Sequence, residues 1–108
     1  MFIKLHNFHW YVSGEQFFTL HTKFEELYNE GALHIDELAE RLLAIGGKPV
    51  ATMWEALSAA SIQEASGNEG SREMVESVVS DFTQMISELK NGMEIAESVN
   101  DEQREICF

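Results

Sequence analysis

Apolar residues recur along this chain at spacings of three, four or seven, and no segment alternates between apolar and polar residues for long. Such spacing places apolar side chains on one face of an α-helix, whereas a half-buried strand alternates. Long helices are therefore predicted over residues 1–13, 17–45 and 71–98. The second is followed by Gly46-Gly47-Lys48-Pro49, and glycine just past the last turn with proline soon after commonly ends a helix.

A short helix is predicted between the second and third long ones. Thr52 stands three residues before Glu55, which is the pattern of a capping box, and the helix should run to about Leu57 or Ser58. A polar connection with two glycines follows, over residues 61–71. The chain is thus predicted to be one all-α domain over residues 1–108, with three long amphipathic helices, one fewer than a four-helix bundle has.

Each long helix has a predicted core face. The residues on these faces are Phe2, Leu5, His9 and Val12 in the first helix, Leu20, Phe24, Leu27, Gly31, Leu38, Leu42 and Ile45 in the second, and Val75, Val78, Phe82, Met85, Leu89 and Ala96 in the third.

The net charge of the chain limits the kinds of partner that it can bind. Seven Lys and Arg residues stand singly against nineteen Asp and Glu, a formal net charge of −12. Such a surface repels phosphate, which argues against binding of nucleic acid or anionic membranes and favours cations. The single cysteine, Cys107, excludes an intrachain disulfide, and neither a long apolar run nor a signal-type start is present. These features predict a soluble, cytoplasmic protein.

The second helix carries four potential metal ligands, His21, Glu25, Asp36 and Glu40. At about 100° per residue, the three acidic residues lie roughly 40°, 60° and 100° around the helix from His21, so all four share one stripe. Glu25 and Asp36 are nevertheless separated by roughly 16 Å along the axis, whereas a ligand lies within about 2.0–2.2 Å of its metal. One straight helix cannot bring both pairs to one ion.

A second copy of the helix, packed antiparallel, removes this difficulty. A two-fold axis near Glu30 and Gly31 lays the first pair of ligands beside the second pair of the partner, and two identical sites arise across one interface. Gly31 at the axis would let the helices approach closely. His9 on the first helix adds a second imidazole, and the mixed set suits iron while remaining compatible with zinc or manganese. The Glu-x-x-His pair of di-iron sites inside one bundle is absent.

Several short segments carry recognisable motifs: Leu5-His6-Asn7-Phe8-His9-Trp10-Tyr11-Val12, then Gly14, Phe17-Phe18-Thr19-Leu20-His21, Asp36-Glu37-Leu38-Ala39-Glu40-Arg41 and Ile45-Gly46-Gly47-Lys48-Pro49. Up to about Glu102 the chain resembles the Dps family of bacilli and their relatives, a branch of the ferritin-like proteins. The resemblance implies a ferritin-like four-helix bundle, here lacking the start of its first helix and its fourth helix, with the short helix between the second and third helices.

The resemblance also implies a function. Dps proteins form hollow shells of twelve subunits that oxidise ferrous iron, preferably with hydrogen peroxide, and store the ferric product, which protects the cell from oxidative stress. Two ferrous ions per site would be held by His9, His21 and Glu25 of one subunit and by Asp36 and Glu40 of its two-fold mate. Of these, His9, His21, Asp36 and Glu40 are the predicted catalytic residues.

Simpler interpretations remain open for individual residues. Acidic residues four apart on a helix usually form a solvated face, and His9 has the alternative of a buried imidazole satisfied by a backbone carbonyl. Trp10 is either an interface or core aromatic or, by resemblance, a residue beside the iron that intercepts oxidising equivalents. His6 and His34 are assigned to packing or solvent rather than to the site.

Two other functions compete with iron oxidation. One is a truncated, non-catalytic relative that acts only as a helical dimerisation module or is a non-functional fragment. The other is DNA compaction, which family members achieve through basic tails and which conflicts with the charge here. Because the family continues into a fourth helix after Asp101, we expect faces around Leu42, Phe82 and Leu89 to be partly uncovered and this chain not to build a stable iron-filled shell.

Overall fold

The computed structural model describes residues 1–99, which contain four helices and no strand. They are α1 (Phe2–Tyr11), α2 (Phe17–Ala44), α3 (Met53–Ala59) and α4 (Ser71–Ser98). The prediction of an all-α chain with a short helix between its second and third long helices is confirmed. Cys107 and the predicted departure from the family pattern after Asp101 lie outside the described residues.

Glycine ends α2 as the sequence predicts. Gly46 has a φ of 90°, a left-handed conformation that is costly for residues with a Cβ atom. Its N–H donates to the carbonyl of Leu43 at 3.1 Å, and the N–H of Gly47 donates to the carbonyl of Leu42 at 2.8 Å. These bonds satisfy carbonyls that the last turn would otherwise leave without partners.

Of the two hydrogen bonds of the predicted capping box at α3, one is present and the other has a different donor. The N–H of Glu55 donates to the Thr52 hydroxyl at 3.1 Å, as a capping box requires. The Glu55 carboxylate, however, accepts from the N–H of Ala51 at 3.3 Å and from the Thr52 hydroxyl at 3.1 Å. It therefore reaches one residue further back than the usual reciprocal bond.

The core forms where α1 packs against α2 and α4. Its fully enclosed centre is the contact of Phe8 with Phe24, whose ring centroids are 5.7 Å apart. The other buried apolar side chains of this cluster are Leu5, Val12, Met74 and Val78. Phe8 and Met74 were not on the predicted faces: α1 is buried on more than one side, because it lies against two neighbours.

Three residues predicted to face the core are exposed to solvent over more than a third of their surface. Phe2, Ile45 and Val75 keep 39%, 48% and 38% of their surface accessible. Phe2 is the first residue of α1, and Ile45 follows the last turn of α2, so neither has helix on both sides to pack against it. At Val75 the core contact is made instead by Met74 and Val78, which lie on the adjacent face of α4.

An ion pair between Lys4 and Asp81 links α1 to α4. The ammonium nitrogen lies 2.6 Å from the Asp81 carboxylate, and the side chains are only 6% and 12% exposed. This pair could not be predicted from the sequence, in which Lys4 is one of several isolated basic residues. Burial of a charge requires such a partner, because an isolated ion in an apolar environment is very costly.

An apolar groove of about 350 Å³ remains open beside this core, between α1, α2 and α4. Its lining includes Leu27, Leu38, Phe82, Met85 and Leu89. Leu42, Phe82 and Leu89 are all half-buried, which agrees with the expectation that these faces are partly uncovered. Within residues 1–99, no helix is both long enough and apolar enough to cross a membrane.

Candidate metal site

Two of the predicted ligands, His9 and His21, are in direct contact. The turn between α1 and α2, with Gly14 at a φ of 94°, folds the second helix back along the first. The two imidazole rings stack with centroids 3.7 Å apart and an interplanar angle of 16°. Phe17 stacks on His21 at 4.9 Å, and His9 is only 7% exposed. The rings are thus held by packing.

Reciprocal hydrogen bonds show that Nδ1 carries a proton in both rings. His9 Nδ1 lies 2.6 Å from the backbone carbonyl of His21, and His21 Nδ1 lies 2.7 Å from the backbone carbonyl of His9. A carbonyl only accepts, so each Nδ1 carries the proton, and in a neutral ring Nε2 then has a free lone pair. The backbone-satisfied alternative for His9 is therefore correct, and it is compatible with ligation, since metal-bound histidines commonly donate their other N–H in this way.

Glu25 lies one helical turn after His21 and is exposed. Tyr28, three residues further along α2, contacts His9 edge to face, with ring centroids 5.4 Å apart. Desolvation by burial, followed by the negative charge of Glu25, raises the pKa of the Tyr28 phenol. Sequence reasoning missed Tyr28. Its position, three residues after Glu25 and seven after His21, was the available signal, since these spacings share a helix face.

The other two predicted ligands are not part of this cluster. Asp36 and Glu40 are exposed on the later half of α2, and Asp36 is about 22 Å along a straight helix from His21. Within residues 1–99, no group of three or more His, Cys, Asp or Glu side chains is placed to hold a metal ion. One chain therefore brings together the imidazole pair, while the five-ligand set remains a prediction that needs a second copy.

The remaining candidates lie around the cluster. The ring of Trp10, which is 65% exposed, is tilted against His6 at 5.3 Å. His6 packs, as predicted, with its ring stacked on Tyr28 at 3.6 Å. His34 lies 3.6 Å from Glu30 on an exposed part of α2, away from the imidazole pair.

Comparison with known proteins identifies the family of this chain. The model of the ferritin-like domain matches residues 1–106. General stress protein 20U of Bacillus subtilis is 64% identical over 102 residues, which cover 94% of this chain and 70% of that protein. DNA protection during starvation protein 2 of Bacillus anthracis is 65% identical with the same coverage. This chain belongs to the Dps family.

Solved Dps structures share its fold. The crystal structure of a Dps protein from Bacillus brevis matches with a TM-score of 0.95 at 53% identity, covering 98% of this chain and 72% of that one. Dps from Staphylococcus aureus has the same TM-score at 49% identity, covering 98% and 71%. The helices of this Dps-family chain are therefore arranged as in the ferritin-like bundles of its relatives.

Proposed function

We propose that this chain oxidises and stores ferrous iron at a site shared between two copies, with hydrogen peroxide as the preferred oxidant. Two ferrous ions would bind between His9, His21 and Glu25 of one copy and Asp36 and Glu40 of the other. The observation that carries the proposal is the reciprocal bonding of His9 and His21, which leaves both Nε2 atoms free to bind a metal. Neutral imidazole with a fixed tautomer is the form that a metal ligand requires.

The donor types suit the reaction. Imidazole nitrogen binds ferrous iron well, and carboxylate oxygens offset the charge that increases when iron becomes ferric. Two ferrous ions together supply the two electrons that reduce one peroxide molecule, with two protons, to water. The net charge of −12 would draw cations towards the protein. Relatives support the choice of a metal substrate: structures of Dps from Listeria innocua soaked with zinc and with cobalt match this chain with TM-scores of 0.93.

The shared site makes an antiparallel two-fold dimer the minimal unit, and the family assembly would be a dodecamer. Protection of the cell from oxidative stress then follows from removal of iron and peroxide together. Direct DNA binding is not part of the proposal, because the acidic surface opposes it. The role of Trp10 in intercepting oxidising equivalents stays a prediction, supported by its ring contact with His6, which itself stacks on Tyr28.

Complementation between two inactive variants tests the shared site. His21→Ala and Asp36→Ala should each abolish rapid oxidation of ferrous iron by peroxide, measured by ferric absorbance and peroxide consumption. Mixing the two should restore part of the rate, because a heterodimer rebuilds one intact site of two. His34→Ala is the matched control, an exposed histidine on the same helix that should keep the full rate. If subunits are shown to exchange and no activity returns, the ligands do not come from two chains.

A further inference from the structure

The His21 imidazole lies between two other rings. It is stacked on His9 with centroids 3.7 Å apart at 16°, and on Phe17 with centroids 4.9 Å apart at 21°. Two rings cannot lie over one face of an imidazole at these distances without overlapping each other, so His9 and Phe17 cover opposite faces. The His21 ring is therefore enclosed on both sides, by α1 on one side and by the first residue of α2 on the other.

Phe17 is placed for this contact by the turn between α1 and α2. Its N–H donates to the carbonyl of Gly14 at 3.2 Å, and it begins α2 four residues before His21, so the two side chains share a helix face. Phe17 also packs against the buried core, whereas the neighbouring Phe18 is 81% exposed. One of the two adjacent phenylalanines is thus held between the core and the imidazole, while the other lies largely in solvent.

Hydrogen bonding alone leaves the His21 ring one motion. The bond from Nδ1 to the His9 carbonyl, at 2.7 Å, holds one edge of the ring, but the last side-chain torsion of a histidine has a broad range and the ring can tilt about that edge. Such a tilt would turn the Nε2 lone pair, which lies in the ring plane, away from a bound metal. A flat ring on each face blocks the tilt in both directions. An aliphatic side chain in place of Phe17 would fill space without presenting a flat surface to the imidazole.

We propose that Phe17 is a positioning residue of the metal site, which clamps the His21 imidazole against His9 and so sets the direction of the His21 Nε2 lone pair. The inference rests on the proposed function, because it assumes that His21 binds the metal. Phe17 carries no metal-binding atom and acts only through His21. Loss of a residue that orients a metal ligand typically lowers affinity about 10–100-fold. Because His21 Nδ1 keeps its hydrogen bond without Phe17, the loss here should lie near the lower end of that range.

Binding of Co²⁺ tests this role without turnover, because cobalt reports its ligands by visible absorption. Phe17→Leu keeps an apolar side chain but removes the flat ring, so the affinity for Co²⁺ should fall by about 10-fold. Phe17→Tyr keeps the ring and should restore most of the affinity. Phe18→Leu is the matched control, since Phe18 is an exposed neighbour of the same residue type and its variant should bind as the parent does.

A general loosening of the core is separated from this role by Leu20→Ala. Leu20 packs against the same core cluster from the same turn of α2, and its aliphatic side chain does not stack on the imidazole pair. Weaker binding in Phe17→Leu, with parental affinity in Leu20→Ala and recovery in Phe17→Tyr, would support the positioning role. Equal losses of affinity in Phe17→Leu and Leu20→Ala, parental affinity in Phe17→Leu, or a Phe17→Tyr variant no better than Phe17→Leu would each overturn it.

Ferrous oxidation gives the second readout. In Phe17→Leu the KM for ferrous iron should rise, while kcat at saturating iron changes much less, because excess metal compensates for a misdirected ligand. A loss confined to kcat would contradict an effect on metal binding.

The outcome for the site itself is read from His21→Ala in the same Co²⁺ titration. If the parent binds Co²⁺ and His21→Ala does not, the site stands, and the Phe17 variants decide the positioning role alone. If His21→Ala binds as the parent does, the proposed function fails, and the Phe17 inference fails with it. These two failures are therefore distinguishable.

Discussion

Removing one partner of the Lys4–Asp81 pair should destabilise the fold far more than removing both. The pair joins α1 to α4 at 2.6 Å with side chains 6% and 12% exposed, so Asp81→Leu leaves an ammonium group enclosed without its counter-charge. Breaking a buried pair in this way costs about 3–5 kcal/mol, whereas exchange of both partners for apolar residues is often neutral. Lys4→Met with Asp81→Leu should thus recover most of the loss.

The magnitude is large enough to measure. A whole domain has a net stability of about 5–15 kcal/mol, and urea lowers it by about 1–3 kcal/mol per molar. A loss of 3 kcal/mol therefore moves the urea midpoint down by at least about 1 M. Circular dichroism at 222 nm during urea titration, at one fixed protein concentration, reports the midpoint for the parent, both single variants and the double variant.

The exposed pair of Arg72 with Glu76 is the matched control. Its atoms are 3.0 Å apart, but the side chains are 86% and 63% exposed. Because water and salt screen such a pair, Glu76→Ala should cost only about 0.3–0.5 kcal/mol. The reasoning would be refuted if Asp81→Leu lowered the free energy of unfolding no more than Glu76→Ala does. It would also be refuted if the double variant lost as much stability as the two single variants lose in sum.

Two further predictions concern the dimer and the connection before α4. Gly31→Leu should weaken dimer formation, measured by sedimentation, because the larger side chain would lie at the predicted two-fold axis. Helix content should hold or rise, because glycine inside a helix costs about 1 kcal/mol and a Cβ at Gly31 meets nothing within 4 Å in its own chain. Unchanged dimerisation would mean that the axis lies elsewhere. Glu69 accepts from the N–H groups of Ser66 and Gly67 at 2.9 and 3.0 Å, and the bond from Ser66 is the main cause that lowers its pKa below the ordinary 4.5. The stability that the Glu69 carboxylate contributes is present above pH 4.5 and is lost as the pH falls through its lower pKa in the folded state. Protection of the Ser66 and Gly67 amides from hydrogen exchange should therefore decrease over that pH range. In Glu69→Gln this pH dependence should disappear.

Local signals made most of the fold predictable. The C-terminal end of α2 and the cap of α3 depend on residues within one turn, such as Gly46 and Thr52, so the local sequence is enough to predict them. The buried face of α1 was harder to predict. A short helix enclosed by two neighbours buries positions such as Phe8 that a single amphipathic stripe leaves out, and which neighbours enclose it is a tertiary property.

Long-range polar contacts escaped prediction for the same reason. Lys4 and Asp81 are 77 residues apart, and nothing in either local segment indicates that they meet. The site was accessible in part: helical spacing put His21 and Glu25 on one face, and the family motif added His9. The packing of Tyr28 against His6 and His9 was missed, because it depends on the rings of α1 rather than on the position of Tyr28 in the pattern of α2.

In the proposed shared site, the reciprocal histidine bonds would give the two copies different tasks. His9 and His21 each donate to the other's backbone, so their order depends on the packing of α1 on α2 within one copy. Asp36 and Glu40 lie exposed on a long regular helix, where the backbone fixes their spacing and leaves their side chains free to adjust. A rigid imidazole pair meeting adjustable carboxylates from a second copy would lose little affinity to imperfect docking, because the carboxylates can move to the metal. Loss of either histidine hydrogen bond should therefore lower metal affinity more than a small displacement of a carboxylate ligand does. Asp36→Glu, which lengthens a ligand by one methylene, should accordingly retain measurable iron oxidation, whereas His21→Gln should not.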